Sequence, residues 1–441
     1  MKTPKNSFPS FCLWLICLLL FLSGNSYGQM WDIIYQPGDD MGRDVIVTSD
    51  YCYFATSTNS PFDPGKSMKI DPRGNRVWET PYGGMAVQQT FDNGYVLAGC
   101  ASYADARLQK LDENGNLIWS KLYGGWQQDE FFTLIHSSDS CLVAAGFTMS
   151  HADSTIYVVK TDQDGNMIWE RSFKGLDFST AHKIIEFGGY YYLIGSTEDA
   201  DLIQYLYVAK LSPSGIQQWS KTYKGWYVYS SGAIAHDSTL IITGDNKLLK
   251  LSLEGDSLWS KDVPPGLDIC CIAMAPDNGY ILGGSKVFGS TLFTSALVKT
   301  DPDGNIEWTK IYRGANNDYW GRFEAVQSAN QNGYIACGYN VFENSTTKWR
   351  IIKTDSYGDC LVGIDPGIKM DASVFYPNPT HGKISTDKQN LLRLDLLTVT
   401  GLPLISCNQC GQLNLSPLPQ GIYILKISSP QGISFEKIIK Q

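Results

Sequence analysis

The sequence predicts an all-β protein, and three observations carry that expectation. A phrase made of Lys, then Asp or Ser two residues on, then Gly three further, occurs seven times, and six copies place a Trp four residues after the Gly. A second phrase, Asn-Gly or a relative of it between apolar runs, recurs between copies of the first. No helical periodicity competes across this region.

The copies begin at Lys69, Lys110, Lys160, Lys210, Lys250, Lys299 and Lys353, at intervals of 40 to 54 residues, and the tryptophans are Trp78, Trp119, Trp169, Trp219, Trp259 and Trp308. Asp or Ser at the first position and Gly at the fourth is type I turn chemistry, with Gly accepting a backbone conformation that other residues resist. The flanks, Arg107–Leu111 and Leu117–Ser120 for example, alternate as paired strands do. Asp92-Asn93-Gly94-Tyr95, Asp277-Asn278-Gly279-Tyr280 and Gln331-Asn332-Gly333-Tyr334 carry the strongest short-range hairpin signal, with weaker forms at Gly188-Gly189-Tyr190 and Ser138–Cys141. Two hairpins per unit make four strands, and the interval is that of one propeller blade. The reading is therefore a seven-bladed β-propeller of four-stranded blades over residues 29–363, each Trp packing between neighbouring blades. The seventh copy lacks its Trp, and Trp31…Tyr35…Gly38 matches the half-phrase Trp119…Tyr123-Gly124. The N-terminal strand is thus expected to complete the last blade and close the ring, which removes sheet edges.

The 441 residues suffice for two domains. Residues 1–28, with Lys2 and Lys5 ahead of an apolar stretch from Phe11 to Leu22, read as a signal peptide cleaved between Gly28 and Gln29. The apolar run is short for a membrane span, and no later segment is long enough, so no integral membrane segment is expected after cleavage. A net charge of −9 without basic clusters argues against nucleic acid as a partner. Of 11 cysteines, Cys12 and Cys17 fall in the leader and an odd number remains. Cys52, Cys100, Cys141 and Cys337 lie in or beside apolar strands and read as buried free thiols, whereas Cys407 and Cys410 suit a local disulfide.

After Gly358 the repeat stops. Residues 364–370 read as a linker, and 371–441 as a small Ig-like β-sandwich of six or seven strands. Tyr376-Pro377-Asn378-Pro379 with Gly382, a central strand ending at Gly401, Gly421-Ile422-Tyr423 and the basic end Lys437…Lys440 resemble the type A C-terminal sorting domain of the type IX (Por) secretion system of Bacteroidota. Thr398 stands where that family often has an acidic or amide residue. The resemblance implies passage through the inner membrane by the general pathway, then export by the type IX machinery to the cell surface or the medium.

Chemistry is harder to place. The repeat phrase also resembles docking repeats of quinone-dependent dehydrogenases, some of which carry a vicinal disulfide, and Cys270-Cys271 are adjacent here. Calcium ligands and a catalytic Asp are not located, and counting from Gly279 puts the pair in an inner strand, opposite Glu324-Ala325, where packed thiols are expected. His136, His151, His182, His236 and His381 have no metal-ligand spacing and read as surface residues. No cofactor, metal or catalytic residue is assigned. The aromatics outside the repeat, Trp126, Trp226, Tyr227, Tyr229, Tyr319 and Trp320, with Asp129, Glu130 and Asp318, fall in loops that share one propeller face near the mouth of the central channel. Aromatic platforms beside carboxylates suit sugar rings. The function read from this is an exported, monomeric binding module for a glycan or protein ligand rather than an enzyme. The alternatives are a secreted hydrolase or lyase with its site at the channel, and a structural subunit of an extracellular layer.

Overall fold

The computed structural model describes residues 30–360 and 375–441 apart from 36–38, 61–62, 102–104, 151–154, 225–229, 245, 290–291, 314–319, 330–332, 343–345, 387–392, 399–402, 409 and 430–431. Among the described residues every regular element is a strand. The chain divides into two compact units between Gly363 and Ile364.

In the first unit the strands pair up-and-down in chain order. Asp129–His136, Leu142–Thr148, Thr155–Thr161 and Met167–Phe173 make one four-stranded antiparallel sheet, and four further sheets repeat the arrangement. The remaining strands form an eight-stranded sheet in which two antiparallel runs meet through a single parallel pair, Phe293 with Trp320. The second of those runs is completed by the start of the chain: Trp31–Tyr35 pairs with Thr347–Lys353, Trp31 opposite Lys353 and Tyr35 opposite Trp349. First strands of successive runs touch in order, and Trp320–Ala329, the last of them, touches Met41–Val47, the first. The sheets therefore close into a propeller-like ring around a channel.

The residues of the repeat explain the closure. Asp71 Oδ1 accepts the backbone N–H groups of Arg73 and Asn75, both at 2.8 Å, which holds the turn and leaves Gly74 at φ +88°. Asp112, Asp162, Asp301 and Asp355 accept equivalent bonds, and their glycines share the positive φ. Each glycine is also covered by the preceding sheet's Trp: a Cβ on Gly115 would lie 2.6 Å from the Trp78 ring, and one on Gly165 2.9 Å from Trp119. Trp169 covers Gly215, Trp219 covers Gly255, Trp259 covers Gly304 and Trp308 covers Gly358. Trp31 covers Gly74 in the same way, so the first strand supplies the Trp that the seventh copy lacks. The carbonyls of Gly165, Gly255 and Gly358 accept the hydroxyls of Tyr123, Tyr223 and Tyr312 at 2.5–2.7 Å. One small residue thus receives a ring and a hydroxyl from its neighbour.

The repeat's Lys joins the two phrases. Lys69, Lys110, Lys160, Lys250 and Lys299 reach Asp50, Asp92, Asp139, Asp237 and Asp277 at 2.5–2.7 Å, with the Lys side chains 2–13% exposed. Those carboxylates sit in the first hairpin turn of each sheet, so each pair ties one hairpin of a sheet to the next. Between sheets the core is apolar, as where Ala86, Val96, Ala98 and Leu108 of one meet Phe131, Leu134, Leu142 and Val159 of the next.

The second unit places Lys383–Ser385 against Gln412–Asn414, beside a four-stranded sheet in the order Pro403–Asn408, Arg393–Thr398, Gly421–Ser429, Gly432–Lys440. Phe375, Ile384, Leu394, Leu396, Leu413, Leu425 and Ile438 form its core. The bonds Tyr376–Pro377 and Asn378–Pro379 are cis, and Cys407 is joined to Cys410, Cα to Cα 6.0 Å.

The closing strand carries an ion pair. Arg350 holds Asp32 through two bonds, at 3.0 and 2.6 Å, with the side chains 1% and 9% exposed. Removing one partner strands a buried charge, so Asp32→Ala should cost about 3–5 kcal/mol. Lys310→Ala breaks an exposed pair with Asp359 at 2.6 Å and should cost less than about 1 kcal/mol. Chemical denaturation of both variants checks the contrast, and similar losses would count against a ring held by its first strand.

Candidate functional site

The channel is lined by first strands, and most of these strands skip a residue in their pairing. The skipped residues are Arg43, Phe132, His182, Cys270 and Glu324, each at the equivalent point of its strand. Such a bulge bends the strand and re-aims the side chain. All five side chains border one cavity of about 450 Å³, together with Asp44, Gln88, Glu130, Lys183, Ser230 and Cys271. Opposite four of the bulges stands a glycine on the second strand. A Cβ on Gly146, Gly195, Gly284 or Gly338 would come within 1.9–2.0 Å of the carbonyl oxygen of Glu130, Thr180, Asp268 or Arg322. Only glycine allows the two backbones so close.

The cavity mixes charge and apolar surface. Arg322 lies 3.4 Å from Asp268 and 3.6 Å from Glu324, and its Nε donates to Cys270 Sγ at 3.2 Å. His182 Nδ1 accepts the Ser230 N–H at 3.3 Å, and its ring stands edge-on to Phe132 at 6.1 Å. Burial pushes the His182 pKa down to about 4, so the imidazole is neutral at pH 7. Asp44 accepts the N–H groups of Val45 at 2.8 Å and Val87 at 3.0 Å, which ties two first strands together. Burial raises its pKa, and Lys183 opposes that. Glu130 is 3% exposed, and its Oε1 has no hydrogen-bond partner among the described residues. Burial pushes its pKa up to about 8 despite Arg43, so it is largely protonated at pH 7 and can donate. A neutral acid, cationic groups, a neutral imidazole and an aromatic edge can together hold a small polar molecule by several hydrogen bonds. Among the described residues no group of three or more His, Cys, Asp or Glu is placed to hold a metal.

The loop aromatics expected to form the ligand face fare differently. Trp226, Tyr227, Tyr229, Asp318 and Tyr319 lie outside the described residues, as do Gly28, Gln29 and Gly401. Trp126 is fully exposed, and Trp320 is half-exposed against Phe293 at 4.9 Å. Asp129 is corrected: it is completely buried rather than presented on the loop surface, its Oδ2 accepting the Gly125 N–H at 2.8 Å and the Ser150 hydroxyl at 3.0 Å, so it holds the loop. The surface reading of His182 is likewise corrected, because its bulge turns it into the channel. Cys100 and Cys337 are buried free thiols, whereas Cys52 and Cys141 are half-buried. Glu130 was expected near the channel mouth and Cys270 on an inner strand, whereas Arg43, Phe132 and His182 were missed because the bulged residues share no side-chain type from sheet to sheet. The glycine within the apolar second strand opposite four of the five bulges was the available signal.

Glu130 gives the site a pH signature. Its ordinary pKa of 4.5 applies in the unfolded chain and about 8 in the folded one. The stability it contributes is fully present below pH 4.5 and is lost as pH rises to 8, at up to about 1.4 kcal/mol per pH unit. Glu130→Gln should flatten that decline, read as denaturation midpoints at pH 5 and pH 8. Identical slopes in the two proteins would contradict the buried neutral acid.

In the C-terminal unit the motif residues act on the last strand. Asn378 donates to the Lys437 carbonyl at 2.5 Å and accepts from the Ile439 N–H at 2.9 Å, as a backbone amide would. Lys440 Nζ donates to the carbonyls of Ser416 and Leu418, and the Tyr423 hydroxyl to that of Pro419. Gly382 leaves room for Ser416, whose Oγ would lie 2.5 Å from a Cβ there, while Pro377, Pro379, Gly421 and Lys437 complete the motif.

Several solved structures resemble the chain at low identity. Virginiamycin B lyase from Staphylococcus aureus is 10% identical, with 74% of this chain and 99% of that one covered and a TM-score of 0.48. The extracellular domain of a putative one component system from B. thetaiotaomicron is 12% identical, with 91% and 57% covered and a TM-score of 0.47. The Pan2 WD40 domain of Neurospora crassa is 11% identical, with 75% and 97% covered and a TM-score of 0.47. No curated protein matches the chain. Residues 374–441 match the family described as the secretion system C-terminal sorting domain. That domain marks the protein for export by the type IX secretion system, to the cell surface or the medium.

Proposed function

We propose that this protein is an exported, monomeric, seven-bladed propeller that captures a small polar ligand, a carbohydrate by preference, in its central channel. The observation that carries the reading is the set of bulges at Arg43, Phe132, His182, Cys270 and Glu324, which turn unlike side chains from five four-stranded runs into one cavity of about 450 Å³. The count of seven rests on the eight-stranded sheet, whose two four-stranded runs share one residue pair, and on the Trp-to-Gly contact made seven times. A signal peptide over 1–28, a linker at 364–370 and an Ig-like sorting sandwich over 371–441 complete the proposed organisation. For a sugar, Glu130, Arg43 and Gln88 offer partners to hydroxyls, while Phe132 offers an apolar surface to C–H groups. The exposed Trp126 and Trp320 then serve the rim.

A second reading is favoured by one group. A carboxyl that keeps its proton to about pH 8, on the lining of the same cavity as a neutral imidazole, suits general acid work, as a hydrolase or lyase requires.

Thermal shift of the purified propeller against glycans and small polar compounds tests the proposal, since a specific ligand raises the melting temperature by mass action. A compound that stabilises the parent should lose most of its shift in Phe132→Ala and Arg43→Gln. A shift that survives both but vanishes in Trp126→Ala moves the site to the loops. Should a stabilising compound also be consumed, Glu130→Gln is expected to slow turnover by about 100-fold or more. Deleting residues 371–441 should leave the propeller folded and held in the periplasm, as fractionation would show. Its appearance in the medium would contradict the sorting role.

A further inference from the structure

The bulge in Leu267–Met274 does something that no other bulge does, because two cysteines occupy it. Ile269 pairs with Gly284 and Cys271 with Gly283, so Cys270 is the extra residue. Neighbours in a regular strand point to opposite faces. Here both thiols reach the same acceptor, the Phe323 carbonyl, with Cys270 Sγ at 3.0 Å and Cys271 Sγ at 3.8 Å. Both residues border the channel cavity, 8% and 6% exposed, and both are free thiols.

The two sulfurs have unequal surroundings. Cys270 Sγ accepts the Arg322 Nε–H at 3.2 Å, so a guanidinium stands against that sulfur and not against its neighbour. Glu324 Oε2 is 4.0 Å from the same sulfur. Cys271 is enclosed against Gly283, where a Cβ would lie 2.6 Å from its Sγ, and burial keeps it a thiol. An attacking sulfur beside a cation, with a second sulfur next to it, is the arrangement of a thiol pair that oxidises in two steps.

We propose that Cys270 and Cys271 form an oxidant-reactive site in the channel, with Cys270 the thiol attacked by a peroxide and Cys271 the thiol that resolves it to a vicinal disulfide. The Cys270 sulfur attacks one peroxide oxygen as its thiol proton passes to the other, and the O–O bond breaks. Cys270 becomes a sulfenic acid, and the other oxygen leaves as water after taking that proton. Cys271 then attacks the Cys270 sulfur, the S–O bond breaks, and the departing hydroxide takes the Cys271 proton and leaves as the second water. The sulfur pair loses two electrons and the peroxide gains them. Adjacent Cα atoms lie closer than most disulfides span, so the product is strained and returns readily to thiols. The inference stands whatever the channel binds.

Peptide-level mass spectrometry on the reduced full chain, with hydrogen peroxide as the probe, decides it. The expected result is a peptide containing Cys270 and Cys271 that is 2 Da lighter, resistant to alkylation, and restored by mild thiol reductant while Cys337 stays unmodified. In Cys271→Ser, Cys270 should accumulate as a sulfenic acid trapped by dimedone, and in Cys270→Ser position 271 should stay reduced. Arg322→Gln should slow the reaction about tenfold. Equal alkylation and oxidation rates at Cys270 and Cys337 in the unmutated protein would overturn the proposal, and that comparison needs no variant to fold. Equal loss of reduced thiol at 271 in the parent and in Cys270→Ser would overturn it as well.

Discussion

One contact holds the ring together: a tryptophan laid on a positive-φ glycine of the next sheet. The glycine cannot be replaced without strain, because its backbone conformation and the ring above it both exclude a Cβ. The Trp brings large apolar area to the same point, and the Tyr hydroxyls at Gly165, Gly255 and Gly358 satisfy the carbonyl that would otherwise be buried bare. Because the contact always runs from one sheet to the next, it sets their spacing and their tilt. The chain can satisfy all of its copies only by bringing Trp31 round to Gly74.

Closure in turn makes the channel. The first strands need nothing from water on their paired edges, so their central surface is free to vary. The bulges exploit this freedom: the skipped residue is Arg, Phe, His, Cys or Glu, while the glycine across from it is kept in four of the five. The scaffold is thus repetitive where sheets touch one another and irregular where they face the channel. That division of labour is what a ligand site on a repeated frame requires.

The same division decides what could be read from residues alone. Lys110, Asp112, Gly115 and Trp119 recur because each makes the same contact in every sheet, and so the strands, the turns and the returning first strand were legible. The exported tail was legible too, since Asn378 and Lys440 fasten the last strand through spaced, type-specific bonds. Most of the channel was not, because Arg43, Phe132 and His182 have no counterpart of their own kind in the other units. Asp129 misled for a related reason. A carboxylate in a loop rich in Gly and Trp looks available, yet the Gly125 N–H and the Ser150 hydroxyl use it to shape the loop.

Hydrogen exchange of the backbone amides measures the zipped termini most directly. If the first strand is an integral part of the last sheet, the bonded amides of Asp32–Ile34 exchange only as slowly as those of Arg350–Ile352, through opening of the whole ring. Fast exchange at Asp32–Ile34 beside slow exchange at Arg350–Ile352 would mean that the ring stands without its first strand, and would contradict the structure's logic at its root.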